Sequence, residues 1–237
     1  MPRKSTPRYS IDQGQAVQFR RRLLRWFRRH GRDLPWRRTR DPYRVLVSEI
    51  MLQQTQVSRV EAYYQEFLDR YPSVESLAAA SPSAVRESWD GLGYYNRAAN
   101  LHRLARRVVT EHAGVLPSDP AVLLELPGVG RYTAAAVATF AYERSVPAID
   151  TNVARVLRRV FHPRLARHRG SRKLWETGAA LVPREGKRAW AFNQAIMELG
   201  ALICTARVAR CEVCPVRTEC KTGRRVKGKG EREKGER

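Results

Sequence analysis

Two carboxylates, four cysteines and a pair of glycines are the residues of this chain whose types and spacing could do chemistry. Glu49 lies between Val45, Leu46, Val47 on one side and Ile50, Met51, Leu52 on the other, so a helix there buries it. Burial disfavours an ionised carboxylate, which suits it to hold or accept a proton near neutral pH. Tethering to an arginine or to backbone donors would make it a structural residue instead. Asp150 is the second carboxylate. The apolar periodicity that starts at Val153 places a helix beginning at about Thr151, and Asp is a favoured N-cap, a role that also holds the side chain rigid. Two carboxylates on different helices can divide glycoside hydrolysis between them, one protonating a leaving group and the other stabilising a cationic sugar.

The cysteines read Cys204-x6-Cys211-x2-Cys214-x5-Cys220, four thiols within 17 residues. Such crowding points to a local ligand cluster and away from a disulfide framework. Zinc usually shows two close pairs and only one is present, whereas a [4Fe–4S] cluster needs four thiolates without that pairing; free thiols are the bland alternative. Gly128 and Gly130 allow a tight, positively twisted turn that a Cβ would obstruct. The helix after it has unpaired N–H groups at its start that favour a phosphate, and the competing reading is a plain turn between packed helices. Gln53, Gln54, Thr55 and Gln56 form a polar run at the end of the buried helix, with neutral hydrogen-bonding groups suited to base edges. Tyr94 and Tyr95 follow a glycine-containing turn and could stack on or wedge between bases, or simply fill surface.

The elements that must position these residues are helical throughout. Apolar spacing predicts helices over 13–30, 43–57, 58–70, 74–80, 82–89, 96–113, 133–141, 173–182 and 188–202, and a helix after Asp150 with Val153, Val156, Leu157 and Val160 inward and Arg155, Arg158 and Arg159 outward. Asp41-Pro42, Ser81-Pro82 and Asp119-Pro120 repeat a cap-plus-proline start. No alternating strand is evident, so the fold class is all-α. Residues 1–11 read as a disordered basic arm and 222–237 as a disordered basic tail. A formal charge of +22 across 237 residues, not confined to the termini, points to a polyanion as partner. The absence of a leader-like or membrane-spanning apolar run predicts a cytoplasmic, nucleoid-associated protein with no membrane partner.

These motifs, in this order, resemble the helix-hairpin-helix DNA glycosylases that share the endonuclease III fold. The resemblance runs from about Leu34 to Cys220 and rests on Leu34-Pro35-Trp36, on residues 48–56 around Glu49, on Leu92 to Tyr95, on Leu126 to Gly130, on Ile149 to Asn152 and on the four cysteines. The stretch 49–56 is most similar to the adenine glycosylase (MutY-type) branch. The resemblance implies a six-helix barrel domain over 35–145 and an iron–sulfur domain made of 12–34 with 146–221, the active site lying in the cleft between them. It implies a monomer that binds double-stranded DNA containing a mismatch or an oxidised guanine and flips out the target base.

By the same resemblance Glu49 is the general acid that protonates adenine, Asp150 stabilises the oxocarbenium-like sugar, and Tyr132 and Asn152 assist. Gln53, Gln54, Thr55, Leu92 and Tyr94 contact DNA; Gly128, Gly130 and Arg131 belong to the phosphate-binding hairpin, often with a monovalent cation on its carbonyls. Cys204, Cys211, Cys214 and Cys220 hold a [4Fe–4S] cluster. Lyase-active relatives carry Lys where this chain has Tyr132, and a phenol cannot form a Schiff base, which implies a monofunctional enzyme. A chain ending soon after the cysteines implies a short form without the C-terminal domain that helps read 8-oxoguanine. Two alternatives stand: a G:T or G:U mismatch thymine/uracil glycosylase of the same fold, and a non-catalytic iron–sulfur module that only binds DNA.

Overall fold

The computed structural model describes residues 11–166 and 171–225; residues 1–10 and 226–237, most of the expected arm and tail, lie outside the described part. The described residues contain eleven α-helices, a few 3₁₀ turns and no strand beyond one bridge between Cys204 and Ala209. The chain forms two compact units, one of Asp33–Arg144 and one made from the segments on either side, up to Arg32 and from Ser145. No helix is long and apolar enough to cross a membrane among the described residues.

The central unit holds α2 (Pro42–Met51), α3 (Val57–Arg70), α4 (Val74–Ala79), α5 (Pro82–Glu87), α6 (Asn96–His112), α7 (Pro120–Leu123) and α8 (Arg131–Phe140). Asp41, Ser81 and Asp119 each accept a hydrogen bond from a backbone N–H of the turn that follows, with Pro next in sequence. Helix α8 packs against α2 and is buried along Thr133–Phe140, where a run of alanines lets the two backbones approach. That packing sets the first turn of α8 beside Glu49.

The expected helix over 43–57 ends at Met51. The Arg97 guanidinium takes the carbonyls of Ile50, Met51 and Gln53, at 3.1, 2.6 and 2.6 Å. Those carbonyls would be needed to continue the helix, so the chain instead turns through Gln54 at φ 58°.

The flanking unit joins α1 (Gln13–His30) to α9 (Thr151–Phe161), α10 (Ser171–Leu181) and α11 (Gly186–Leu202). Phe19 of α1 meets the rings of Phe161 and Phe192 edge-on at 5.3 and 6.4 Å. Glu198, fully buried on α11, accepts from Arg32 Nε at 2.8 Å, from its Nη2 at 3.0 Å and from its backbone N at 3.0 Å. Residues 222–225, expected to begin a disordered tail, are ordered here. Lys221 and Thr222 donate backbone N–H groups to Val160 and Arg159, satisfying carbonyls at the end of α9, and Gly223–Arg225 forms a 3₁₀ turn.

Candidate active site

Within the central unit, Glu49 is 4% exposed on helix α2, which is buried from Val45 to Met51. The phenol of Tyr132, on the first turn of α8, donates to Glu49 Oε2 at 2.7 Å. One residue on, Thr133 is within 3.4 Å of Gln53 Nε2. Gln53 is half-buried in the turn after α2, while Gln54 is exposed and left-handed.

The second turn, Gly91 to Tyr94, has positive φ at Gly91, Gly93 and Tyr94 (87°, 70° and 49°), and Tyr94 is 60% exposed. Leu92 does not share that exposure: its side chain is buried, and its carbonyl accepts from Arg97. Positive φ at Gly93 and Tyr94 breaks the alternation that would otherwise put Leu92 and Tyr94 on one side. The Leu92 side chain, expected to contact DNA, thus faces the interior of the central unit.

The two hairpin glycines do different things. Gly128 has φ 75°, and a Cβ there would sit 2.7 Å from Asn100 Cβ on α6. Gly130 is extended, caps α8, and a Cβ would meet nothing within 4 Å. Only Gly128 needs to be glycine for the turn itself; at Gly130 the missing side chain leaves open space above the N–H groups of α8, beside the exposed Arg131.

In the flanking unit Asp150 caps α9. Its Oδ1 accepts from Val153 N at 2.7 Å and its Oδ2 from Asn152 Nδ2 at 2.8 Å. Burial raises the Asp150 pKa above the ordinary carboxylate value, and the Val153 and Asn152 donors and the Arg155 charge oppose that rise. The segment before it is fixed by Asn193, buried on α11, which accepts from Ala148 N at 2.9 Å and donates to Val146 O at 3.0 Å. On the same helix, a Cβ on Gly200 would lie 2.8 Å from Asn152 Cβ, so glycine there lets α9 begin close against α11.

The expectation that Arg155 and Arg159 face outward is corrected. Arg155 Nη2 bonds Asn152 Oδ1 at 2.7 Å and Gly200 O at 2.8 Å, and its Nε bonds Cys204 O at 2.7 Å. Arg159 Nη1 reaches Thr205 O at 2.7 Å and Cys204 Sγ at 3.3 Å. Unpaired carbonyls of the loop after α11 draw both guanidiniums onto it.

None of the four cysteines is in a disulfide, and all line one cavity together with Val156, Leu199 and Val216. Cys220 Sγ also accepts from Gly223 N at 3.1 Å. Burial, with smaller contributions from neighbouring thiols, raises the pKa of Cys211 and Cys220 and pushes Cys214 up to about 12. Among the described residues no three His, Cys, Asp or Glu side chains form a group that could hold a single metal ion.

The model of the HhH-GPD superfamily of base excision DNA repair proteins matches residues 47–177, more than half of the chain and a span that includes Glu49, the hairpin and Asp150. The chain belongs to this superfamily. The adenine DNA glycosylase of Mycolicibacterium smegmatis is 47% identical to this HhH-GPD protein over 195 residues, 82% of the chain and 66% of the relative, so the chain spans just under two thirds of that relative's length. A solved structure of a thermostable thymine-DNA glycosylase superposes with a TM-score of 0.83 at 32% identity, over 90% of this chain and 98% of that one. Endonuclease III in a non-covalent complex with DNA superposes at 0.75 with 24% identity, over 91% and 98% of the two chains, a likeness of fold alone. The all-helical class and the endonuclease III fold expected from the motifs are thus those of the superfamily.

Four residues that hold this HhH-GPD protein's site together escaped sequence reasoning: Arg97, Arg155, Asn193 and Gly200. The first two look like ordinary polar-face arginines. A glycine inside the last turn of an apolar helix was the one signal that could have pointed to Gly200.

Proposed function

We propose that this protein is a monofunctional glycosylase that removes a mispaired adenine, opposite guanine or 8-oxoguanine, from double-stranded DNA. The observation that carries the reading is the buried Glu49 carboxyl held by the Tyr132 phenol at 2.7 Å. A carboxyl among apolar side chains can carry a proton to a leaving group, and its neighbour is a phenol where a lyase would need an amine. The 47% identity to an adenine DNA glycosylase and the Gln53-Gln54 pair support adenine as the base.

In this reading the target nucleotide leaves the stack and Glu49 protonates the adenine. The C1′–N bond then breaks and its electron pair departs with the base. Asp150, which accepts from Val153 N–H and Asn152 Nδ2, stabilises the cationic sugar. Water adds its oxygen to C1′ and returns a proton to the Glu49 carboxylate, so the acid is regenerated. Gly128, Gly130 and Arg131 grip phosphate through the hairpin, whose carbonyls would hold a monovalent cation, while Gln53, Gln54, Thr55 and Tyr94 meet the bases.

Cys204, Cys211, Cys214 and Cys220 would hold a [4Fe–4S] cluster. Four sulfurs lining one cavity, with one C-x2-C pair where zinc usually shows two, suit a [4Fe–4S] centre. When bound, the cluster supplies a cross-link that fixes the loop after α11; purified protein should carry about four irons per chain.

A second reading, removal of thymine or uracil opposite guanine, is favoured by the likeness to the thymine-DNA glycosylase. Incubating the protein with A:8-oxoguanine, A:G, T:G and U:G duplexes and then cleaving with alkali separates the possibilities. Product from A:G or A:8-oxoguanine is expected; product from T:G or U:G alone would make the pyrimidine the substrate. No product from any duplex would leave only a binding module.

A further inference from the structure

Arg97 is buried at the start of α6, and both terminal nitrogens of its guanidinium donate to backbone. Nη1 faces the carbonyls of Ile50, Met51 and Gln53, and Nη2 those of Leu92 and Gly93, at 3.0 Å each. Five carbonyls from two separate turns therefore converge on one cation, which also lies 5.5 Å from the rings of both Trp89 and Tyr94. Burial lowers its pKa, but a guanidinium stays charged.

Two of the five carbonyls have a particular place in the chain. Gln53 immediately precedes Gln54, and Gly93 immediately precedes Tyr94. Among the described residues, Gln54 and Tyr94 are two of the four non-glycine residues at positive φ, and both are exposed. Left-handed backbone at such residues persists only where the surroundings over-determine it. Arg97 grips the peptide group entering each of them, so one side chain fixes the direction of both exposed residues at once.

We infer that Arg97 is a positioning residue that locks the Gln54 and Tyr94 turns into one preset pair, so that together they enter the duplex and hold the target base out of the stack. The inference rests on the reading that these turns meet DNA in a base-flipping glycosylase. Arg97 touches neither the base nor the sugar. Its contribution falls on extrusion and not on bond cleavage, and leaves the hairpin's hold on phosphate intact.

The experiment compares wild type with Arg97→Lys and Gly93→Ala. A lysine keeps the charge but presents three donors from one point and cannot span both turns. Alanine at position 93 meets nothing within 4 Å but disfavours φ 70°, so it disturbs the same turn without removing a buried charge should the lysine variant fail to fold. Three quantities are read: fluorescence of a 2-aminopurine beside the mismatched adenine, single-turnover base release, and affinity for undamaged duplex at fixed salt.

Both variants should bind undamaged duplex within about threefold of wild type. They should lose most of the fluorescence rise and release adenine at least 30-fold more slowly. A substrate with the adenine already unpaired in a bulge should restore release to within a few-fold of wild type. Variants that extrude and cleave like wild type overturn the inference, as does a bulge substrate cleaved no faster than the paired one. Failure of wild type itself to release any base would instead sink the glycosylase reading.

Discussion

Glu49, Asp150 and Tyr132 each make a separable prediction. Glu49→Gln keeps the size and a hydrogen-bonding partner for Tyr132 but removes the transferable proton, so single-turnover base release should fall by about 10²–10⁴-fold with duplex affinity retained. Tyr132→Lys puts an amine beside the Glu49 carboxyl, and borohydride should then trap a covalent DNA adduct that wild type does not form. Asp150→Asn separates stability from function. Burial raises the Asp150 pKa, so its ionisation opposes folding; that cost is absent below the unfolded value of about 3.9 and grows as pH rises through the folded value. Asn caps a helix as well as Asp. The variant should therefore melt at the same temperature as wild type or higher at neutral pH, with any advantage vanishing in acid. It should also release base at least about 100-fold more slowly, for want of the anion.

At the scale of elements, the hairpin tests whether its two glycines differ as the geometry says. Gly128→Ala adds a Cβ 2.7 Å from Asn100 Cβ at a left-handed φ, and should destabilise the protein by about 1–3 kcal/mol in a melt. Gly130→Ala meets no atom and should change stability by less than about 0.5 kcal/mol, yet weaken duplex binding if a phosphate approaches that face. The sequence could not separate these glycines, because a G-x-G pattern carries no φ. It did carry the helices: Asp41-Pro42, Ser81-Pro82 and Asp119-Pro120 announce their starts through local chemistry that tertiary structure leaves alone. It also carried Glu49, since a lone acid in an apolar helix is conspicuous by its cost. The end of α2 was illegible because glutamines are good helix formers, and only a side chain 44 residues away, Arg97, stops it at Met51. Arg155 and Arg159 were misread for a related reason. Helical periodicity assigns a face to a residue's Cα, while a guanidinium several bonds farther out can turn back to carbonyls the pattern does not contain.

For the molecule as a whole, a net charge of +22 makes a salt titration the natural check on the expected partner. The logarithm of affinity for any duplex should fall linearly with the logarithm of salt concentration, by about 0.9 for each phosphate neutralised, and a flat response would remove DNA as the ligand. The flanking unit has a different consequence. It is assembled from both ends of the chain, and the ion pair that ties Arg32 to Glu198 joins residues 166 positions apart. On a ribosome the intervening unit emerges complete before α11 exists, so α1 waits on the order of ten seconds with Phe19 and Leu23 uncovered. Arg21, Arg22, Arg25, Arg28 and Arg29 stay exposed on its other side even in the finished protein. Five like charges on that face would oppose the close approach of a second nascent copy to the waiting helix, before the protein has met any DNA.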